Sequence, residues 1–336
     1  MRAFRSALVA AALATAAGAA AAQETTLIFA TTNVPNIHAN VRVLHPWAQR
    51  MNEQGRGVLK IDVRDGMTLA NHTNFYQRAL DDVVQITWGV QSQVAGKFPR
   101  SHVVTLPYEA ESAEQASVAY WRLYKGGLLN AEYDEIVPLM LIGFTQAGLH
   151  TAKPLKSLDS LTGLKLAMNS KMVSDAITRL GATPISLPLP DFYEGIQRGT
   201  IDGAAIPWTA IWPFKLGEVT TYHVEAQLGN SLGVVFMAKK RYDALPAAAR
   251  KVIDANGTEA ESRTFGAMWD SEHDKGREMA RAMGGKHAIV DLTPEQTAKW
   301  RERLAPLAAE WAKSVPDGEK ILGAWRESLA KVKAGG

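Results

Sequence analysis

Residues 163–208 read GLKLAMNSKMVSDAITRLGATPISLPLPDFYEGIQRGTIDGAAIPW, and their grammar is strand, helix, strand, helix, strand. The apolar run 164–168 precedes a helical pattern of Met172, Ala176, Ile177 and Leu180, which Gly181 stops. Residues 185–187 make the next short strand. Residues 191–199 make a short helix with an acidic start and a terminal glycine, and residues 201–206 are extended again. Short apolar strands alternating with helices imply an α/β fold with a parallel sheet, and such sheets bind ligands beyond the carboxyl ends of their strands. Residues 168–170 and 206–208 stand at two such ends and are expected to line a pocket.

A second unit of the same kind precedes it. Strands are expected at 27–31, 59–63 and 83–88, with helices at 40–52 and 73–81 between them. Their ends fall at residues 31–33, 67–71 and 88–91. The long apolar run 137–144 is placed to pass from one unit into the other, and residues 231–237 return as a strand. Pro246 opens a helical tract reaching about Met283, longer than the usual helix and suited to bracing two lobes. Two α/β lobes joined by several crossings imply a cleft that closes on a ligand by hinge bending.

Length and composition agree. A chain of 336 residues with 46% hydrophobic and 21% charged residues suits two ordinary folded domains. Arg2 and Arg5, the apolar run 7–17 and Ala20-Ala21-Ala22 form a signal peptide pattern over residues 1–22. Removing it leaves 35 of the 37 basic residues against 34 acidic ones, without any basic block, so no nucleic-acid partner is expected. No later run is long and apolar enough to span a bilayer. The expected protein is therefore exported to the periplasm, with no membrane insertion of its own. The absence of cysteine excludes disulfides, thiol nucleophiles and thiolate metal sites.

Catalytic patterns are lacking too. His38 and His45 lie about 10 Å apart if helical, too far to share an ion, and the eight histidines include no H-x-x-x-H spacing. No G-x-S-x-G and no glycine-rich phosphate loop occurs. No cofactor is expected. The aromatic residues carry more information: Trp208, Trp212 and Phe214 follow a strand end, and Trp88 ends a strand of the other unit. Packing against the neighbouring lobe and walling a ligand are both open to them.

Several phrases together resemble one family, the substrate-binding proteins of tripartite ATP-independent periplasmic (TRAP) transporters, of the C4-dicarboxylate-binding type. They are Gly66-Met67-Thr68-Leu69, Val84-Gln85-Ile86-Thr87-Trp88-Gly89, Gly96-Lys97-Phe98-Pro99, Leu106-Pro107-Tyr108 and the run 158–166. Gly181-Ala182-Thr183-Pro184 and Gly199-Thr200-Ile201-Asp202-Gly203 with Pro207-Trp208 complete the set. The resemblance implies a two-lobed periplasmic binding protein with a long helix crossing both lobes. Residues 25–146 plus about 232–262 would form one lobe, and 147–231 plus about 263–336 the other. It implies a non-enzymatic receptor that takes a small organic acid into the interlobe cleft and delivers it to a membrane permease pair.

In this family a bidentate arginine usually holds the carboxylate. Its position here is Ala167, and a common polar amide is replaced by Ile206. Either another cation serves, with Lys171, His150 and Arg179 as candidates, or the ligand is not a simple carboxylate. Together with the tryptophans, these losses point toward a more apolar ligand, aromatic ones included. The expected lining is Asn33, Asn71, Trp88, Gln91, Met168, Asn169, Trp208 and Trp212, with His150 and Lys171 as charge candidates. Rival readings are a periplasmic enzyme on the same scaffold and a sensor module presenting its ligand to a signalling partner.

Overall fold

The computed structural model describes residues 24–94, 96–155, 158 and 161–336, so the expected signal peptide lies outside the described residues. In the first lobe, strands β1 (Thr25–Thr31), β2 (Leu59–Arg64), β3 (Ile86–Val90) and β4 (Ile136–Gly143) alternate with helices. These are α1 (His45–Gln54), α2 (Phe75–Leu80) and α3 (Ala113–Lys125), with a wide π turn at Asn40–Leu44 leading into α1. Alternation in β1 buries Leu27 and Phe29, and the Phe29 ring meets Trp47 of α1 edge-on at 5.6 Å.

The second lobe begins with β5 (Gly148–Thr151). It continues through β6 (Lys165–Met168), α4 (Lys171–Arg179), β7 (Thr183–Ser186) and α5 (Phe192–Gln197). Then come β8 (Gly203–Ile206), α6 (Trp208–Ile211) and β9 (Tyr222–Glu225). The stretch 163–208 thus forms the strand–helix alternation its pattern predicts. β10 (Leu232–Ala238) returns to the first sheet, followed by α7 (Lys239–Asp243) and α8 (Ala247–Asn256). The chain ends with α9 (Glu259–Ala282), β11 (Ala288–Asp291), α10 (Pro294–Leu304), α11 (Pro306–Ser314) and α12 (Gly318–Lys333).

The two sheets have strand orders β2-β1-β3-β10-β4 and β11-β9-β5-β8-β6-β7. Both are mixed, where the alternation pattern predicts parallel pairing. β10 runs antiparallel to β3 and β4, and β5 runs antiparallel to β8 and β9. The reason is connectivity: each of these strands arrives from the other lobe and enters its sheet from the opposite end. The two connecting segments lie side by side between the lobes. Phe144 N donates to Ser231 O at 3.1 Å, Ala147 N to Gly229 O at 2.8 Å, and Leu228 N to Ala147 O at 3.1 Å.

The predicted tract from Pro246 is two helices rather than one. Gly257 breaks it, and the Thr258 side chain caps α9 by accepting from Glu261 N. α9 packs against α3 of the first lobe and α6 of the second. Glycine inside a helix costs about 1 kcal/mol relative to alanine, so two of them here need a reason. Close approach supplies it. A Cβ on Gly266 would stand 2.5 Å from the Ala113 carbonyl oxygen, and one on Gly276 would stand 3.0 Å from that of Trp208. Between them, the Asp270 carboxylate accepts from Ala113 N at 2.7 Å and Glu114 N at 2.9 Å, satisfying the amino end of α3.

Behind the second sheet, three buried histidines form a chain. His150 Nε2 lies 3.0 Å from Ile206 O, His150 Nδ1 lies 2.8 Å from His223 Nδ1, and His223 Nε2 lies 2.9 Å from His287 Nδ1. The Ile206 carbonyl can only accept, so His150 carries its proton on Nε2. That makes His150 Nδ1 an acceptor and sets both following rings as Nδ1–H tautomers. The arrangement is neutral throughout. Burial is the main cause holding all three pKa values below the ordinary histidine value, His223 at about 3.

Replacing Gly266 with alanine is expected to lower stability by about 1–3 kcal/mol through overpacking against α3. The Gly323→Ala change in α12, where a Cβ meets nothing within 4 Å, is expected to add about 0.5–1 kcal/mol. Urea unfolding of both variants checks the contrast. The histidine chain makes a separate pH prediction. Because the folded pKa values lie below the unfolded one, the folded state binds fewer protons, and stability is complete above about pH 6.5. It is lost as pH falls from there toward the folded values, at up to about 1.4 kcal/mol per pH unit for each histidine. Unfolding curves recorded between about pH 7 and pH 5 should show this decline, and a His223→Asn variant should decline less steeply.

Candidate functional site

A cleft of about 650 Å³ lies between the lobes, a size suited to a small ligand. The first lobe contributes Asn33, His38, His72 and Trp88; the second contributes Asn169, Ser170 and the loop from Leu187 to Pro190. Phe144, Ala147, Asn230 and Ser231 of the connecting segments line it, and α9 supplies Trp269. Strand ends build much of this wall. Ala205 and Ile206 finish β8 and Pro207 follows it, as Asn169 and Ser170 follow β6.

Aromatic rings pack along the wall formed by the first lobe and α9. Trp88 lies 4.8 Å from Phe265, Phe144 lies 4.8 Å from Trp269, and the Phe265 and Trp269 rings stack nearly parallel at 6.1 Å. His38 meets Trp269 edge-on at 4.9 Å. Asn33 is held in place by a polar relay: its Nδ2 donates to Asn40 Oδ1 at 2.9 Å, and Asn40 Nδ2 donates to Asp65 Oδ1 at 2.9 Å. Asn230 is fixed from the other side, its Nδ2 donating to Phe144 O at 2.7 Å.

Among the described residues that line the cleft there is no lysine, arginine, aspartate or glutamate. The titratable ones are His38 and His72, and burial lowers the pKa of each. Several buried polar atoms of the lining have no hydrogen-bond partner among the described residues. They include the indole nitrogens of Trp88 and Trp269, His38 Nε2, His72 Nδ1 and Asn230 Oδ1. A native interior leaves few such atoms unsatisfied, so their concentration here suits a ligand that carries both acceptors and a donor.

Of the residues predicted from the sequence, Asn33, Trp88 and Asn169 line the cleft together. The others are engaged elsewhere. Asn71 accepts from Thr73 N and Asn74 N at the start of α2, leaving its neighbours His72 and Thr73 to face the cleft. Gln91 is buried between Tyr133 and Tyr120, bonded to both hydroxyls at 2.8 and 2.9 Å, and Gln93 lines the cleft instead. Met168 is buried in the core cluster that contains Leu166 and Val173. Lys171 is 82% exposed and pairs with Asp175 one helical turn on. His150 is committed to the histidine chain, and Arg179 pairs with Glu310.

Trp208 and Trp212 also lie behind the cleft. Helix α6 starts at Trp208, so the chain turns and its indole packs on His150 and His223, with Nε1 donating to Glu225 at 2.8 Å. Trp212 Nε1 donates to Gly276 O at 2.7 Å, tying the second lobe to α9. The tryptophans that line the cleft are therefore Trp88 and Trp269. Trp269 sits with Phe265 and Met268 in a helical pattern that reads as core, and no local signal marks it. His38 and His72 follow predicted strand ends by a few residues, which is the signal that was available for them.

Comparison with known proteins fits this geometry. The model of the bacterial extracellular solute-binding protein family 7, DctP, matches residues 29–314. The C4-dicarboxylate-binding periplasmic protein DctP of Rhodobacter capsulatus is 29% identical over 182 residues, 54% of this chain and about half, 51%, of that relative. A TRAP solute-binding protein from Rhodoferax ferrireducens, solved with copurified benzoate, is 29% identical with a TM-score of 0.83. That match covers 93% of this chain and 100% of the other. A marine metagenome TRAP solute-binding protein specific for aromatic acid ligands, solved with 3-hydroxybenzoate, is 25% identical with a TM-score of 0.84, covering 92% and 99% of the two chains. The enzyme reading falls away, since this is a family of non-enzymatic receptors. The chain belongs to the DctP family of periplasmic TRAP solute-binding proteins.

Proposed function

We propose that this receptor captures a small aromatic monocarboxylate in the interlobe cleft and hands it to a TRAP permease. Asn33, Trp88 and Asn169 are its ligand contacts from the predicted set, joined by His38, His72, Asn230 and Trp269. The observation that carries the reading is a lining rich in aromatic and apolar groups, with no fixed charge among its described residues. Burying one aromatic ring of about 150 Å² contributes about 4 kcal/mol at 25 cal/mol per Å². A second carboxylate in the same place would lose its hydration without gaining a counter-ion. The cleft therefore favours a ring with one acid group over a C4 dicarboxylate. The benzoate and 3-hydroxybenzoate held by the two related structures fit that description. Asn230 Oδ1, which has no donor among the described residues, suits a hydroxyl on the ring.

Export by the leader at residues 1–22 and delivery to a two-part membrane permease complete the proposal, supported by the family. The test is direct. Calorimetric titration is expected to give about micromolar or tighter binding of benzoate and 3-hydroxybenzoate, with succinate and malate at least about 100-fold weaker, a gap of about 2.7 kcal/mol. The reverse order overturns the aromatic reading. Loss of benzoate uptake in cells lacking this receptor, and not in cells complemented with it, checks delivery.

A further inference from the structure

We propose that His38 is the counter-ion of the captured carboxylate: it binds as an imidazolium, taking a proton from solvent as the ligand enters. This rests on the aromatic-acid reading above. The starting point is a balance of charge. An anion enters a cleft whose described lining residues include no lysine or arginine, and a buried carboxylate without a counter-charge is unfavourable. Position 167, where the resemblance expects a guanidinium, is an alanine buried in the same apolar cluster as Ile206. Only His38 and His72 among the described lining residues can become cations.

Geometry selects His38. Its Nδ1 lies 4.0 Å from the Glu272 carboxylate of α9, and its Nε2 is buried with no partner among the described residues. With the Nδ1 proton on the Glu272 side, Nε2 presents a lone pair, which repels a carboxylate oxygen. Adding a proton to Nε2 turns that nitrogen into a charge-assisted donor, so the ring stands between two carboxylates, Glu272 and the ligand. The charges around His38 oppose one another. Burial lowers its pKa, Glu272 raises it, and Arg42 and Lys275, which both pair with Glu272, lower it. Among the described residues no such carboxylate acts on His72, whose pKa is lowered by burial.

The surroundings orient the ligand the same way. Trp269 lies edge-on to His38, Phe144 joins Trp269 to Trp88, and both indole N–H groups lack partners among the described residues. Three nitrogens able to donate thus belong to one aromatic cluster. The opposite wall, at Leu187, Pro188, Leu189, Ile206 and Pro207, is apolar. The carboxylate belongs with the nitrogens and the ring with the prolines. A fixed guanidinium gives an affinity nearly independent of pH around neutrality. A histidine that charges on binding makes affinity rise by up to about tenfold per unit fall in pH, between its free and liganded pKa values.

The test is calorimetry of the full chain with benzoate between about pH 6 and pH 8, in phosphate and in Tris, whose ionisation heats differ. Expected are a buffer-dependent heat reporting proton uptake and affinity that tightens as pH falls. In His38→Gln the uptake disappears and affinity becomes weak and flat with pH. Glu272→Gln, which leaves the imidazole in place, reduces the uptake and keeps the test open if the first variant folds poorly. Benzoate binding with equal heats in both buffers and no pH dependence overturns the proton mechanism while leaving the aromatic receptor intact. Loss of uptake in His72→Gln but not in His38→Gln overturns the assignment to His38. Failure of every aromatic acid to bind overturns the receptor reading and this inference with it.

Discussion

Helix α9 touches both lobes through places where side chains are absent. Gly266 lets the α3 backbone approach, and Gly276 does the same for the start of α6. Backbone-to-backbone contact of this kind tolerates little slack, because carbonyl oxygens cannot rotate aside as side chains do. The Asp270 carboxylate, gripping the first two amides of α3, fixes α9 along its axis as well as across it. Apolar packing of Phe265, Met268 and Trp269 adds to this brace, and polar contacts cheaper to rearrange surround it, among them Arg50 with Glu261, Arg263 with Glu114, and Trp212 with the Gly276 carbonyl. One helix therefore sets where Trp269 and Glu272 stand relative to residues that come from the other end of the chain.

That placement decides how the cleft deals with charge. The polar groups of its described lining are amides, hydroxyls, indoles and imidazoles. Each neutral hydrogen bond contributes about 0.5–1.5 kcal/mol, and each bond to a charged group about 1.5–3. A cleft of neutral donors thus gains most from a ligand whose single charge can be shared among several of them. The apolar pair Ala167 and Ile206, packed in one cluster with Phe192 and Ile196, closes the second lobe to a buried cation. Selectivity in this reading comes from what the wall lacks as much as from what it offers.

Much of this fold is visible in local pattern. The run 163–208 shows its strands, helices and stopping glycines within a few residues of where they form, because each short element is bounded by a cap or a breaker. The antiparallel strands β5 and β10 are not visible in this way, since direction depends on which lobe a strand arrives from. The site is half legible. Asn33 and Asn169 follow strand ends and line the cleft, as parallel-sheet geometry implies, while Trp88, expected to end its strand, lines it from the middle of β3. Trp208 follows a strand end too, but the helix that starts there turns its indole toward His150. Trp269 and Glu272 act from the middle of a long helix, where spacing looks the same for a core residue and a cleft residue. Lys171 shows the converse: a cation beside the right strand, spent on a surface pair with Asp175.

The two connecting segments have one more consequence. Phe144, Ala147, Asn230 and Ser231 belong both to the crossing between lobes and to the lining of the cleft. Any rotation of one lobe about that crossing moves points in proportion to their distance from it. A solute resting on Phe144 and Asn230 sits near the axle, so its immediate surroundings shift little, while lining residues farther from the crossing sweep through a wider arc. Such leverage separates two tasks along one radius. The inner end can keep its shape well enough to recognise a molecule, and the outer end can travel far enough for another protein to tell a loaded receptor from an empty one.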